Sequence, residues 1–294
     1  MTFVKSILLA AAGMAALATG ARAQLVNVVN FSSNGYVTAN QPLVQSPVTT
    51  NTAGTWRSRV NFSETLPLSP AANYSGPTFY GGYELTQVGG AVAPTATLTL
   101  LNGDRLFGGK DAISVSRTMG ANVPKSEALL ILFKSADFML PGSLFLIDST
   151  SSFSLSESPF GASGRYVQRI VVQSGGSYFI SRWSSNGFAT TSTLSSASSD
   201  FGFWAAYDPT SALFFDASAA TFSNVTLTDV TAVGFAYATD SLFNAPSGTI
   251  SSPAFNLFSA NLTRIAPVPE SSSCAALGVI GLIAVIARRM KKTR

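Results

Sequence analysis

The sequence predicts an all-β protein: a jelly-roll or lectin-like β-sandwich body, with an N-terminal signal peptide and one C-terminal transmembrane helix. Three observations predict it. Apolar and polar residues alternate with a period of two through the middle of the chain, turn clusters rich in Gly and Asn separate those runs, and long uncharged apolar stretches are confined to the two ends. Of the 294 residues, 46% are hydrophobic and 11% charged, which is too apolar for disorder and enough for a sizeable core.

Residues 1–23 come first. Lys5 supplies a basic start, residues 7–17 an apolar run, and Ala21-Arg22-Ala23 a small-x-small site before Gln24. This is the pattern of a secretory signal peptide cut after Ala23, so the mature chain is expected to begin at Gln24 outside the cytoplasm. A single cysteine, Cys274, leaves no intrachain disulfide to form.

The body follows over residues 24–266. Thr97 and Thr99 alternate with Ala96, Leu98 and Leu100; Ile113 and Val115 with Ser114 and Ser116; Val225 and Leu227 with Thr226 and Thr228. Each reads as a half-buried strand. The continuous apolar runs 128–133, 144–147 and 230–237 read as strands covered on both faces. Turns are expected at Asn102-Gly103-Asp104, Gly108-Gly109, Ser174-Gly175-Gly176 and Asn186-Gly187. Residues 135–140, before Pro141, are the best helical candidate, at one or two turns. The Ser/Thr/Ala-rich stretch 189–200 reads as a loop. About a dozen strands fit one sandwich, with a division into two near Gly161 as the alternative.

Residues 267–294 close the chain. Val268-Pro269-Glu270 and three serines precede the uncharged run 274–287, and Arg288, Arg289, Lys291, Lys292 and Arg294 follow it. Its 14 residues reach only about 21 Å of a membrane core about 30 Å thick. Counting the three serines and letting Arg288 and Arg289 snorkel brings the usable length to about 20 residues, enough to span, with the helix itself expected over 272–287. The cations then stay in the cytoplasm and the body faces out.

A Pro-Glu dipeptide, a short apolar helix and a terminal basic cluster, in a chain that starts with a signal peptide, resemble the PEP-CTERM sorting tail. The resemblance covers less than a tenth of the chain and rests on the whole arrangement. It implies recognition by an exosortase, a multi-spanning membrane cysteine transpeptidase, which cuts the tail and passes the body to the cell surface or the exopolysaccharide matrix. Val268, Pro269 and Glu270 fall on the sorting motif, 274–287 on the helix, and Arg288, Arg289, Lys291 and Lys292 on the membrane stop. Ser271 stands where the family's motif has its second proline.

Charge and residue types narrow the chemistry. The formal charge is +4, but seven of the 18 basic residues lie in the terminal segments, leaving 11 in the body against 13 acidic ones. No basic patch for nucleic acid remains. Histidine is absent, which excludes Ser-His-Asp and Cys-His catalysis, and the body has no thiol for metal or redox work. The body's carboxylates, among them Glu64, Glu84, Glu127 and Glu157, are scattered singly, with no Glu-x-Asp or Asp-x-Asp to set two acids on one strand face. A non-catalytic surface or matrix protein is therefore expected, with polysaccharide adhesion as the body's candidate role. The alternatives are a surface glycoside hydrolase of lectin-like fold and a purely structural coat protein. No cofactor is expected apart from Ca²⁺, for which Asn102, Asp104 and Asp208 are the weak candidate ligands in loops. Among the aromatics, Phe201, Phe203 and Trp204 read as core, while Trp183, between Arg182 and Ser184, is the candidate sugar contact.

Overall fold

In the computed structural model the described residues are 24–30, 41–42, 48–52, 55–65, 78–89, 95–104, 110–120, 122–134, 144–157, 166–185, 191–239, 243–244 and 248–265. They contain eighteen strands and no helix. In chain order these are β1 (Gln24–Asn30), β2 (Gln41–Pro42), β3 (Val48–Thr52), β4 (Thr55–Thr65), β5 (Thr78–Val88) and β6 (Thr95–Asp104). Then come β7 (Lys110–Met119), β8 (Pro124–Lys134), β9 (Leu144–Leu146), β10 (Ser152–Glu157), β11 (Tyr166–Ser174) and β12 (Ser177–Ser181). The last six are β13 (Ser192–Ser195), β14 (Phe203–Tyr207), β15 (Ser223–Asn224), β16 (Val230–Thr239), β17 (Phe243–Asn244) and β18 (Gly248–Ile265).

They form two antiparallel sheets, each drawing strands from both sides of residue 161. The eight-stranded sheet runs β13-β10-β18-β7-β6-β2, with β1 and β9 also paired to β18. The ten-stranded sheet runs β15-β14-β12-β11-β16-β8-β5-β4-β3, with β17 paired to β8. The two continuous apolar runs expected to be doubly covered, 128–133 and 230–237, are neighbours at the centre of the larger sheet, where Phe235 lies opposite Ile131 and Gly234 opposite Leu132.

Alternation along each strand decides which face a side chain takes. From the larger sheet Tyr83, Leu85, Leu129, Ile131, Phe133, Ile170, Val172, Trp204, Val233 and Phe235 face inward. From the smaller sheet Phe145, Phe153, Leu155, Leu194, Phe258, Ala260 and Leu262 meet them. Phe153 meets Trp204 edge to face across this layer, with centroids 6.3 Å apart. Each such large side chain contributes about 1.5–3 kcal/mol through removal from water, which makes this layer the principal source of stability.

The larger sheet carries a second apolar layer on its other face. Ala128, Leu130, Leu132, Val171, Ile180, Ala205, Ala232 and Ala236 are buried there. Residues 208–222, between β14 and β15, cross this face as a strap and add Leu213, Phe215, Ala220 and Phe222 to the layer. The strap explains why β8 and β16 have no polar alternation: both of their faces are covered.

The β11–β12 hairpin turns at Gly175 (φ 57°) and Gly176 (φ 81°), as the Ser-Gly-Gly cluster predicts. Two successive left-handed residues give the mirror-image turn whose twist matches that of the strands.

Several expectations are corrected. Residues 144–147 are not a central strand: β9 pairs with β18 alone, Ile147 makes only a bridge to Leu227, and Leu144 is 46% exposed. The stretch 225–228 is not a strand, and only Leu227 takes part in that bridge. Residues 192–195, read as loop, form the edge strand β13, because Leu194 supplies the one inward side chain the position needs. Asn102 and Gly103 lie inside β6 at a register shift, and the strand resumes pairing with Asp104 opposite Lys110, so the reversal comes later than expected. Strands outnumber the expected dozen because several, such as β2, β15 and β17, are two residues long. The helical candidate 135–140, the turns at 108–109 and 186–187, the signal peptide and residues 266–294 lie outside the described residues. No helix among the described residues is long and apolar enough to cross a membrane.

Candidate functional site

The two sheets present chemically different outer surfaces. On the smaller sheet, Phe153 and Leu155 turn inward, so Ser152 and Ser154 turn outward, as does Thr193 beside Leu194. The register sets Ser195, Ser152, Asn261 and Asn27 on one line across four strands, and Thr193, Ser154 and Ser259 on the next. The Ser154 and Thr193 hydroxyls are hydrogen-bonded at 3.1 Å in an exposed pair, and Asn261 Nδ2 donates to Ser152 Oγ at 3.3 Å. This surface offers uncharged donors and acceptors at strand spacing, about 4.8 Å.

On the larger sheet the outer face of β8, β11, β12, β14 and β16 packs against the strap. Two local turns shape the strap. Asp208 Oδ1 accepts from the Thr210 amide (3.0 Å) and hydroxyl (2.6 Å), and Asp216 Oδ1 accepts from the Ser218 amide (2.9 Å) and hydroxyl (2.6 Å). Between them Leu213 is pinned on both sides, its amide donating to Glu84 Oε2 (3.2 Å) and its carbonyl accepting from Tyr207 Oη (2.8 Å). Phe215 meets both Tyr207 and Phe222 edge to face.

Beneath the strap lies a cavity of about 250 Å³, walled by Val167, Ile180, Leu213, Phe214, Phe215, Ala236 and Ala238, with Arg169, Asp216, Ser218 and Thr239 as its polar lining. Arg169 is on β11, two residues from buried Val171 and therefore on the same face. Its Nη1 donates to the carbonyls of Ser181 (2.8 Å) and Arg182 (2.6 Å). The guanidinium carbon lies 5.9 Å from the Phe215 ring centre and 5.7 Å from that of Phe222. Burial pushes this guanidinium below its usual value, opposed by the charge of Asp200. Asp200 itself is hydrogen-bonded to Arg182 Nε at 2.6 Å. Among the described residues, no hydrogen bond joins Arg169 Nε or Nη2 to the protein.

Trp183, the candidate sugar contact, is partly buried and packs against the main core, and its carbonyl accepts from Ser181 Oγ at 2.7 Å. Its neighbour Arg182 lies over the Phe203 ring at 3.9 Å, so that ring is capped by a cation. Trp204 is 1% exposed and belongs to the core, as expected, with Phe201 packed on the same cluster. Asp208 spends one carboxylate oxygen on its own turn, and Asn102 and Asp104 lie far along the chain on β6. No group of three or more acidic or thiol side chains that could hold a metal occurs among the described residues. Glu84 and Glu127 lie on adjacent strands, with Glu84 opposite Ala128 and Leu85 opposite Glu127, so their side chains take opposite faces of the sheet. Glu127 accepts from Tyr83 Oη (2.6 Å) on the inner side, and Glu84 holds the strap on the outer. They are not a facing acid pair.

Arg169 escaped sequence reasoning. Its signal was the run Tyr-Val-Gln-Arg-Ile-Val-Val, in which a cation falls between Val167 and Val171 on one face of a strand.

No family model and no curated protein matches the sequence. A solved structure described as bearing on the promiscuous specificity of carbohydrate-binding modules from the beta-sandwich super family is similar over 76% of this chain and 98% of its own. The identity is 10% and the TM-score 0.24, a level at which nothing about this chain follows from the likeness.

Proposed function

We propose that the chain is an exported, non-catalytic surface or extracellular-matrix protein, sorted by its C-terminal tail, whose jelly-roll body adheres to polysaccharide. The observation that carries the reading is the order of parts at the C-terminus: Val268-Pro269-Glu270, the uncharged run 274–287, then Arg288, Arg289, Lys291 and Lys292, in a chain that opens with a signal peptide. A charge-free stretch that long, closed by cations, favours membrane insertion with the basic end in the cytoplasm, which leaves the body outside the inner membrane. An exosortase is the partner that would read Pro269-Glu270 and release the body.

Adhesion is supported by the hydroxyl and amide groups that Ser152, Ser154, Thr193 and Asn261 bring together on the smaller sheet, which suit the hydroxyls of a glycan. The non-catalytic reading is supported by the absence of histidine and by the opposite facing of Glu84 and Glu127.

Intact-mass measurement of surface-released protein tests the sorting half. The expected product lacks residues 274–294, and Glu270→Ala is expected to leave the chain in the membrane fraction. A released chain with its full C-terminus, or an unprocessed chain soluble in the cytosol, would overturn it. Co-sedimentation with the producing cell's exopolysaccharide tests the adhesive half, and no co-sedimentation would overturn that.

A further inference from the structure

We infer that the cavity beneath the strap is a binding site for a single carboxylate carried on a small ring or apolar body, held by Arg169. This goes beyond the adhesive reading and does not depend on it.

Three observations bear on the site. First, Arg169 reaches a half-open, mainly apolar cleft while meeting no carboxylate at hydrogen-bond distance among the described residues; the acid nearest in its electrostatics, Asp200, is bonded to Arg182. Arg169 is partly buried, and the described residues give its guanidinium two carbonyls and two ring faces, so an anion entering the site would add charge-assisted hydrogen bonds that nothing there now makes. Second, Nη1 is the atom those carbonyls occupy, which leaves Nε and Nη2. These two donors form the parallel fork that matches the two oxygens of a carboxylate. Third, the cavity holds about 250 Å³, below the roughly 300–1,000 Å³ of sites for drug-sized ligands, so it suits one ring and its substituents.

The charge balance selects the anion. Among the described lining residues Arg169 is the cation, and Asp216 sits there too, its Oδ1 turned onto Ser218. A singly charged carboxylate suits that balance, whereas a doubly charged phosphate does not. The carboxylate has two sources, a uronate residue of an acidic polysaccharide or a free organic acid.

The test uses the full-length chain in a polyoxyethylene detergent, titrated by calorimetry and saturation-transfer NMR with benzoate, glucuronate, a glucuronate oligomer, glucose and inorganic phosphate. The expected result is saturable binding of at least one carboxylate, none of glucose, and weaker binding of phosphate. Arg169→Gln is expected to weaken carboxylate binding at least tenfold. Ala238→Leu fills the cavity while retaining Arg169, and is expected to weaken it comparably; it decides the matter if the Arg169 variant does not fold, as read from thermal melting. Glucuronate and its oligomer binding points to the polysaccharide source, and benzoate alone to a free acid. No carboxylate binding, tighter phosphate binding, or carboxylate binding that survives in a folded variant would overturn the inference. Failure of the adhesive reading is separate, since it is read from co-sedimentation with the exopolysaccharide and not from titration of the cavity.

Discussion

Phe258 on β18 lies flat against Phe133 on β8, with ring centroids 5.6 Å apart and planes within 9°, so the two sheets are joined by one stacked pair. Phe235 also reaches Phe258, at 5.7 Å. All three rings are at most 1% exposed. Phe258→Ala removes the ring that touches both Phe133 and Phe235 and leaves a cavity between rigid sheets. The expected loss is about 3–5 kcal/mol, measured as a shift in urea midpoint with unchanged slope.

A methyl group at Gly234 has nowhere to go. A Cβ there would sit 1.9 Å from the Ile131 carbonyl oxygen and 2.8 Å from the Leu132 Cα, both backbone atoms of the neighbouring strand. Gly234→Ala is therefore expected to cost at least about 3 kcal/mol, although it adds a single carbon. Loss of soluble expression, or a much lowered melting temperature, would register it.

Gly176 poses the opposite case. Nothing lies within 4 Å of a Cβ built there, so only the backbone conformation, φ +81°, resists a side chain. Gly176→Val is expected to cost about 1–2 kcal/mol. Gly175→Asn, at φ +57°, is expected to be nearly neutral because asparagine tolerates that conformation. Thermal melts of the two variants side by side separate conformational strain from steric overlap.

Acid should destabilise the protein through three aspartates. Burial pushes the Asp148 carboxyl up, but bonds from the Thr150 hydroxyl and amide, Thr263 and Ser151 hold it below the ordinary 3.8. The Thr210 hydroxyl and amide lower Asp208, and those of Ser218 lower Asp216. A carboxyl lowered in the folded state contributes stability that is present above its unfolded value and lost as pH falls through its folded one. Melting temperature is therefore expected to drop as pH falls below about 4. The drop should be shallower in Asp148→Asn, whose own stability at neutral pH is lower.

The centre of the larger sheet was legible because β8 and β16 are covered on both faces, and uninterrupted apolar sequence is the mark of that. The Ser-Gly-Gly turn was legible for an equally local reason, since two left-handed residues in succession strongly favour glycine. What failed to show locally depended on distant chain. Residues 144–147 look like a central strand, yet four apolar residues cannot reveal that Leu144 ends up at 46% exposure. Residues 192–195 look like a loop, because a single leucine among serines and a threonine carries no period. Arg169 gains its meaning only when Phe215 and Phe222, some 45 or more residues later, fold across it.

Gln24 and Arg264 are partners in the β1–β18 ladder, so the described body opens and closes at one corner. Tension on the chain beyond Ile265 would run along β18, whose hydrogen bonds to β1 on one flank and to β9 and β10 on the other are loaded in shear. Those bonds must yield together rather than unzip singly, so this corner of the described body resists a pull along the chain.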